Sequence, residues 1–363
     1  MSTLLNTYKP NYSVHPGEYL DDVLESREIK QRELADRMGI TENYLSNLLH
    51  GKKPVGPDTA IKLERVLGIS ASIWNNLNAN YKLFEAEQKE KESLSDKINW
   101  VKEFPIAWMK KLGIIPETIK NDELIKPVLD FFGVSSPEIW DSFYKKEIVS
   151  YRKSDCFTSH LKASASWLRA GIIKSGRIET LSYNSEIFKN YLDKIKDLTV
   201  KDVIEFEPEM KKLCAEAGIA LVFVPEPPDV HIYGATKWLG ANKAMICLSL
   251  RHKSDDQFWF SFFHEAAHVL LHDKRNTFID DEGLDQDEKE KEANRFSRNI
   301  LIADKEYNEF VRRGKFYPND IISFSSKQRV ATGVVVGFLQ HDEKIPYKWH
   351  NKLKKRYEII PGV

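Results

Sequence analysis

At 363 residues the chain is long enough for two or three domains of ordinary size, each with its own core. Hydrophobic residues make up 42% and charged residues 30%, a balance that excludes disorder throughout. Lys+Arg and Asp+Glu both number 54, so no global field draws the chain to nucleic acid or an acidic membrane, and any such contact must come from a local patch.

The amino terminus, MSTLLNTYKPNYSVHPGEYL, lacks a cationic segment followed by an apolar core and a small-residue cleavage site. No window approaches eighteen uncharged apolar residues, so a cytoplasmic protein without a membrane partner is expected. Cys156, Cys214 and Cys247 are odd in number and far apart, which fits reduced thiols and leaves histidine and carboxylate as the metal ligands to look for.

Residues 14–84 have the apolar spacing of short helices, broken at Gly39, at 51–57 and at 68–70. The stretch EAEQKEKESLSDK at 85–97 is nearly all polar or charged, either the solvated end of a helix or a linker. Residues 98–200 read as further amphipathic helices carrying Trp100, Trp108, Trp140 and Trp167, without identifiable chemistry. Beyond Pro208 the period changes: IALVFV (219–224) and AMICLSL (244–250) read as buried strands. Helices over 257–272 and 286–302 flank an acidic loop, and ATGVVVGFLQ (331–340) is compatible with a strand or a helix.

In QRELADRMGITENYLSNLLHG (31–51), Leu34, Met38, Ile40, Leu45 and Leu48 form an apolar face shared by two helices. Ala35 permits close approach, Gly39 a left-handed turn, and Thr41 a cap for the second helix, which together make a helix-turn-helix. Gln31, Thr41, Glu42, Asn43, Tyr44, Ser46 and Asn47 are the candidate DNA-binding residues, those on the second helix offering amides and hydroxyls to base edges. Residues 1–90 hold 11 Lys+Arg against 13 Asp+Glu, so phosphate contacts fall to a few local cations such as Arg32, Arg37, Lys52 and Lys53. The segment resembles the Cro/repressor (XRE) type of helix-turn-helix, and HPGEYL at 15–20 resembles its HigA-type antitoxin branch.

The string FHEAAHVLLH places His264 and His268 one helical turn apart on one face, where two imidazoles can chelate one ion. Glu265 beside them is the candidate general base for metal-assisted hydrolysis. Aromatic and aliphatic residues cover nearly every other face, so this helix is expected to be buried. Leu271 and Lys274 stand where a metzincin would have glycine and histidine, which excludes that class. His272 lies about 12 Å along the axis from His264, too far to share its ion, and reads as structural or as a support behind the ligands. A third ligand is expected from EKEANRFSRNILI (290–302): Glu290, with Asn294 one turn on to orient a ligand, and with Glu292 or Glu288 as alternatives.

This spacing resembles the glutamate zincins. Together with IYGATKWL and DDQFWFSF upstream it resembles the ImmA/IrrE family of zinc metallopeptidases over about residues 205–345. The resemblance implies Zn2+ held by His264, His268 and Glu290, with Glu265 as the base, and cleavage of a repressor- or antitoxin-like protein, often in response to stress. Ser297 and Arg298 depart from the alanine common in the family. The oxyanion stabiliser stays open among His341, Tyr233 and Arg251, and AMICLSL resembles the edge strand that receives an extended peptide.

The expected fold class is therefore multidomain: an all-α helix-turn-helix domain (1–90), a helical middle region (91–204) and an α+β zincin-like metallopeptidase domain (205–363). The expected function is that of a transcriptional regulator with a zinc endopeptidase, its partners a double-stranded DNA operator and a protein substrate that is a repressor, an antitoxin or the chain itself. Homodimerisation is the usual habit of such DNA readers. The alternative is a HigA-like antitoxin or repressor that binds DNA and a toxin, its metal domain non-catalytic.

Overall fold

The computed structural model describes residues 12–149, 160–249, 254–272, 278–281 and 288–357. Cys156, Arg251 and most of the expected acidic loop lie outside these residues. The chain divides into two compact units, Met1–Lys97 and Ile98–Val363. No helix among the described residues is long and apolar enough to cross a membrane.

The first unit contains α1 (Pro16–Ser26), α2 (Gln31–Met38), α3 (Glu42–Leu49), α4 (Pro57–Leu67) and α5 (Ala71–Ser95). Leu20, Leu24, Leu34, Leu45, Leu48, Leu63 and Trp74 are its buried centre. Gly39 ends α2 in the left-handed region at φ 63°, and the Thr41 hydroxyl accepts the Tyr44 amide to start α3. The charged stretch 85–97 continues α5 to Ser95, resolving the choice between helix end and linker.

The HPG sequence has a local reason. His15 caps α1, its Nδ1 accepting the Gly17 amide at 2.8 Å, and the Cα of Gly17 lies against the last carbonyls of α3. A Cβ at Gly17 would overlap the carbonyl oxygens of Leu48 and Leu49. Gly17→Ala is therefore expected to lower the stability of this unit by about 1–3 kcal/mol, read by urea unfolding, and an unchanged midpoint would refute the close approach.

The second unit opens with α6 (Ile98–Val101), α7 (Ile106–Lys111), α8 (Ile125–Phe132), α9 (Pro137–Val149), α10 (Leu161–Gly176), α11 (Ser185–Asp197) and α12 (Val203–Glu216). A four-stranded sheet follows from β1 (Ile219–Phe223), β2 (Ile232–Gly240), β3 (Lys243–Leu248) and β4 (Phe278–Asp281), in the order β1-β3-β2-β4. β1 runs parallel to β3, and β2 is antiparallel to both β3 and β4. The remaining helices are α13 (Asp255–Leu271), α14 (Glu288–Leu301), α15 (Asp304–Arg312), α16 (Pro318–Gln328) and α17 (Thr332–His341).

The sheet is covered on both faces, which is why β1 and β3 read as unbroken apolar runs. Ala244, Ile246 and Leu248 of β3 join the core that contains Trp259, Phe262 and Phe263 of α13. On the other face Gly171 of α10 approaches Cys247, where an added Cβ would lie 2.8 Å from Sγ. Trp167 Nε1 donates to Val224 O at 2.8 Å and Trp108 Nε1 to Pro225 O at 3.0 Å. The helices that showed no chemistry in sequence thus supply one cover of the sheet. AMICLSL, expected at an edge, is corrected by the strand order: β3 lies between β1 and β2, and a strand buried on both faces looks alike in sequence at either place. ATGVVVGFLQ forms α17.

Candidate metal centre and helix-turn-helix

The candidate metal-binding side chains stand on α13 and α14. Nearly every residue of α13 from Asp255 to Val269 is buried, so its histidines are presented inside the molecule. α14 is held across it by Ser297, whose Oγ donates to Phe260 O at 2.9 Å, while the Arg298 guanidinium ties α14 to the end of α17 by paired bonds to Asp342 at 3.1 and 2.7 Å. Ser297 and Arg298 therefore fix the crossing helix without touching the candidate ligands.

His264, His268 and Glu290 come together, one ligand atom of each lying within 4.8 Å of the others. Nε2 of His264 and Nε2 of His268 are 2.9 Å apart, and Glu290 Oε2 lies 3.1 Å from the first and 3.4 Å from the second. Asn294 Oδ1 sits 2.8 Å from His264 Nδ1. A carbonyl oxygen only accepts, so His264 keeps its proton on Nδ1 and turns the Nε2 lone pair inward. Burial pushes the His268 imidazole down to about 4, so it is neutral near pH 7. Burial alone would raise Glu290, but an imidazole of His264 or His268 that carries its proton on Nε2 outweighs it and holds the carboxyl at about 2. Two imidazole nitrogens and a carboxylate oxygen crowded this closely require a cation among them, a shared proton or a metal ion, and the donor set suits a divalent transition metal.

Glu265 is fully buried, with its carboxylate against β2. Thr236 Oγ1 donates to Glu265 Oε2 at 2.6 Å, and Gly234 leaves the space for the carboxylate, since a Cβ there would lie 2.6 Å from Oε1. In sequence both positions stand out only as part of IYGATKWL. Their two-residue spacing puts them on one face of a strand, a signal that becomes specific once β2 is known to face α13. Of the oxyanion candidates, Tyr233 lies next to Gly234 on β2, while the His341 side chain is 75% exposed beside Asp342. Glu288 is exposed and pairs with Lys291. Glu292 lies at His272 instead of at the ligand group.

In the helix-turn-helix, Glu42 and Asn43 are exposed on α3, and Ser46 and Asn47 are half-buried with polar ends along the same helix. Asn47 Nδ2 faces Asn43 Oδ1 at 3.5 Å, and Glu42 lies 3.6 Å from Arg32. Gln31 is exposed at the start of α2. Two expected readers are engaged elsewhere. Thr41 spends its hydroxyl oxygen on the cap, and Tyr44, expected to point to solvent, packs on the core with its hydroxyl 3.2 Å from Thr59 Oγ1.

Comparison with known proteins agrees with both regions. Residues 20–74 match the Helix-turn-helix family, and residues 216–334 match the peptidase family described as IrrE N-terminal-like domain. The Uncharacterized HTH-type transcriptional regulator YddM of Escherichia coli (strain K12) is 38% identical over 73 residues, covering 20% of this chain and 78% of the relative. Virulence-associated protein I of Dichelobacter nodosus is 29% identical over 84 residues, 23% of this chain and 77% of the relative. Among solved structures, Pseudomonas aeruginosa antitoxin HigA with higBA promoter is 27% identical, covers 23% of this chain and 94% of its own, and has a TM-score of 0.22. These relatives coincide with the first unit, whereas the second match spans the sheet, α13 and α14. The chain belongs to the HTH-type transcriptional regulators and carries, behind its helix-turn-helix, a metallopeptidase-type domain of the IrrE N-terminal-like kind.

Proposed function

We propose that the chain is a cytoplasmic DNA-binding regulator whose metallopeptidase-type domain is a zinc endopeptidase, cutting a repressor- or antitoxin-like protein or the chain itself to switch gene expression. The convergence of His264 Nε2, His268 Nε2 and Glu290 Oε2 beside the buried Glu265 carries this reading. A bound Zn2+ would supply Lewis-acid polarisation of the scissile carbonyl and a more acidic water. The chain's own residues do the rest: Glu265 accepts the proton of the attacking water, Thr236 holds that carboxylate in place, and Asn294 keeps the His264 lone pair directed inward.

Asn43, Ser46 and Asn47 on α3 are the proposed readers of base edges, with Gln31 and Glu42 beside them and Thr41 and Tyr44 shaping the helix start. Arg37 is paired with Glu33 and Arg32 with Glu42, so operator binding must exchange these surface pairs for phosphates, and a homodimer supplies the second half-site.

The deciding experiment incubates the full chain, loaded with one equivalent of Zn2+, alone and with proteins encoded beside it, and identifies fragments by mass spectrometry. Specific fragments that vanish on chelation and return with Zn2+ are expected. Fragments that persist unchanged under chelation would overturn the peptidase reading. Tight zinc and operator binding without any fragment would favour the antitoxin-like alternative.

A further inference from the structure

α13 runs beyond its second histidine to a third, His272, which closes the helix with an extended backbone while its side chain stays 3% exposed. Its Nδ1 lies 2.8 Å from Nδ1 of His268, and its Nε2 lies 3.3 Å from Oε2 of Glu292. Glu292 is two residues beyond Glu290 on α14, with a side chain 58% exposed. Two facing ring nitrogens can share only one proton, so the outermost group decides which ring donates. The Glu292 carboxylate only accepts, which calls for a proton on His272 Nε2. Neutral His272 then has a bare Nδ1 that accepts from His268 Nδ1–H, and His268 is left with its lone pair on Nε2, the atom that faces His264 and Glu290.

We infer that His272 and Glu292 form a positioning relay that fixes the ring and the tautomer of His268 for metal binding, so that a half-exposed surface carboxylate sets the affinity of a buried site. The inference rests on the reading of His264, His268 and Glu290 as a zinc site. Without the relay, His268 can move its proton to Nε2 and donate it to Glu290, a pairing that occupies the two atoms a metal needs. His264 has its counterpart in Asn294, so each histidine ligand is oriented from behind by a different residue of the chain, and both supports involve α14.

The test measures the Zn2+ dissociation constant of the full chain by competition with a chromophoric chelator, and the visible spectrum of the Co2+-loaded chain, with circular dichroism to confirm the fold. His272→Ala is expected to weaken Zn2+ binding by about ten- to a hundredfold. His272→Gln, whose side-chain oxygen can accept from His268 Nδ1–H, is expected to recover a large part of that loss. Glu292→Ala weakens binding severalfold, Glu292→Gln keeps an acceptor and stays near the wild type, and Glu186→Ala at an exposed position of α11 changes nothing. The Co2+ absorption bands shift in His272→Ala without loss of the three ligands, an effect that a residue serving only helix stability would not produce. Wild-type affinity retained by both His272→Ala and Glu292→Ala would overturn the relay. Failure of the wild type itself to bind Zn2+ would instead bring down the metal-site reading beneath it.

Discussion

Replacement of Glu265 by glutamine is expected to slow cleavage by about 10²–10⁴-fold while Zn2+ affinity stays within about twofold of the wild type. The physical basis is the separation of two jobs on one helix. His264 and His268 point to Glu290, whereas the carboxylate of Glu265 lies in the slot left by Gly234 and receives the Thr236 hydroxyl. Glutamine has the same shape, and its oxygen can still accept from Thr236, so the fold and the ligand group are left in place. What it lacks is the capacity to take a proton from water. Initial rates of fragment formation, with zinc content measured on the same preparations, check this. An unchanged rate would show that the hydrolytic base is a different group.

A second large effect is expected at the beginning of the same helix. Asp255 is fully buried where α13 meets α17, and a Cβ on Gly333 would overlap its carboxylate. Burial pushes its carboxyl up to about 6 from the ordinary 3.8, with the charge of Asp256 adding to the rise and Lys354, which pairs with Asp256 at 2.5 Å, opposing it. Because the native state holds this proton more tightly than the unfolded chain, the contribution of Asp255 to stability falls as pH rises through roughly 4 to 6. Asparagine resembles the protonated acid. The stability of Asp255→Asn relative to the wild type should therefore be near zero at pH 4 and grow to about 2–3 kcal/mol in favour of the variant at pH 7–8. Urea unfolding of the full chain at a series of pH values measures the difference, and a difference that does not vary with pH would contradict it.

Much of the site was legible before the fold was known, because its parts are local. A four-residue spacing on a helix needs no distant partner to put His264 and His268 on one face, and the same spacing links Glu290 to Asn294. The turn between α2 and α3 was legible for the same reason, since Gly39 and Thr41 act on backbone groups within a few residues. Tyr44 shows where this reasoning fails. Its position suggested a solvent-facing reader, but an aromatic ring gains more from packing on the core, and Thr59, fifteen residues away, accepts or donates at its hydroxyl.

The sheet was less legible. The strands over 219–224 and 244–250 could be recognised as buried, but their order could not, because an apolar run has the same composition at the edge and in the centre. The same holds for the helices of residues 98–176, whose part in covering β1 and β3 depends on Trp167, Trp108 and Gly171 meeting distant backbone and side-chain atoms.

Chain periodicity alone established the two helical motifs, the two histidines that share one helix face and the helix that supplies the acid. Long-range packing settled which of three neighbouring glutamates reaches the histidines, which strand cradles Glu265, and what lies behind each imidazole. The reason is one of distance along the chain. Helical facing is written within a turn, whereas a hydrogen bond across 20 or 29 residues, as between His272 and Glu292 or between Thr236 and Glu265, exists only after strands and helices have chosen their neighbours.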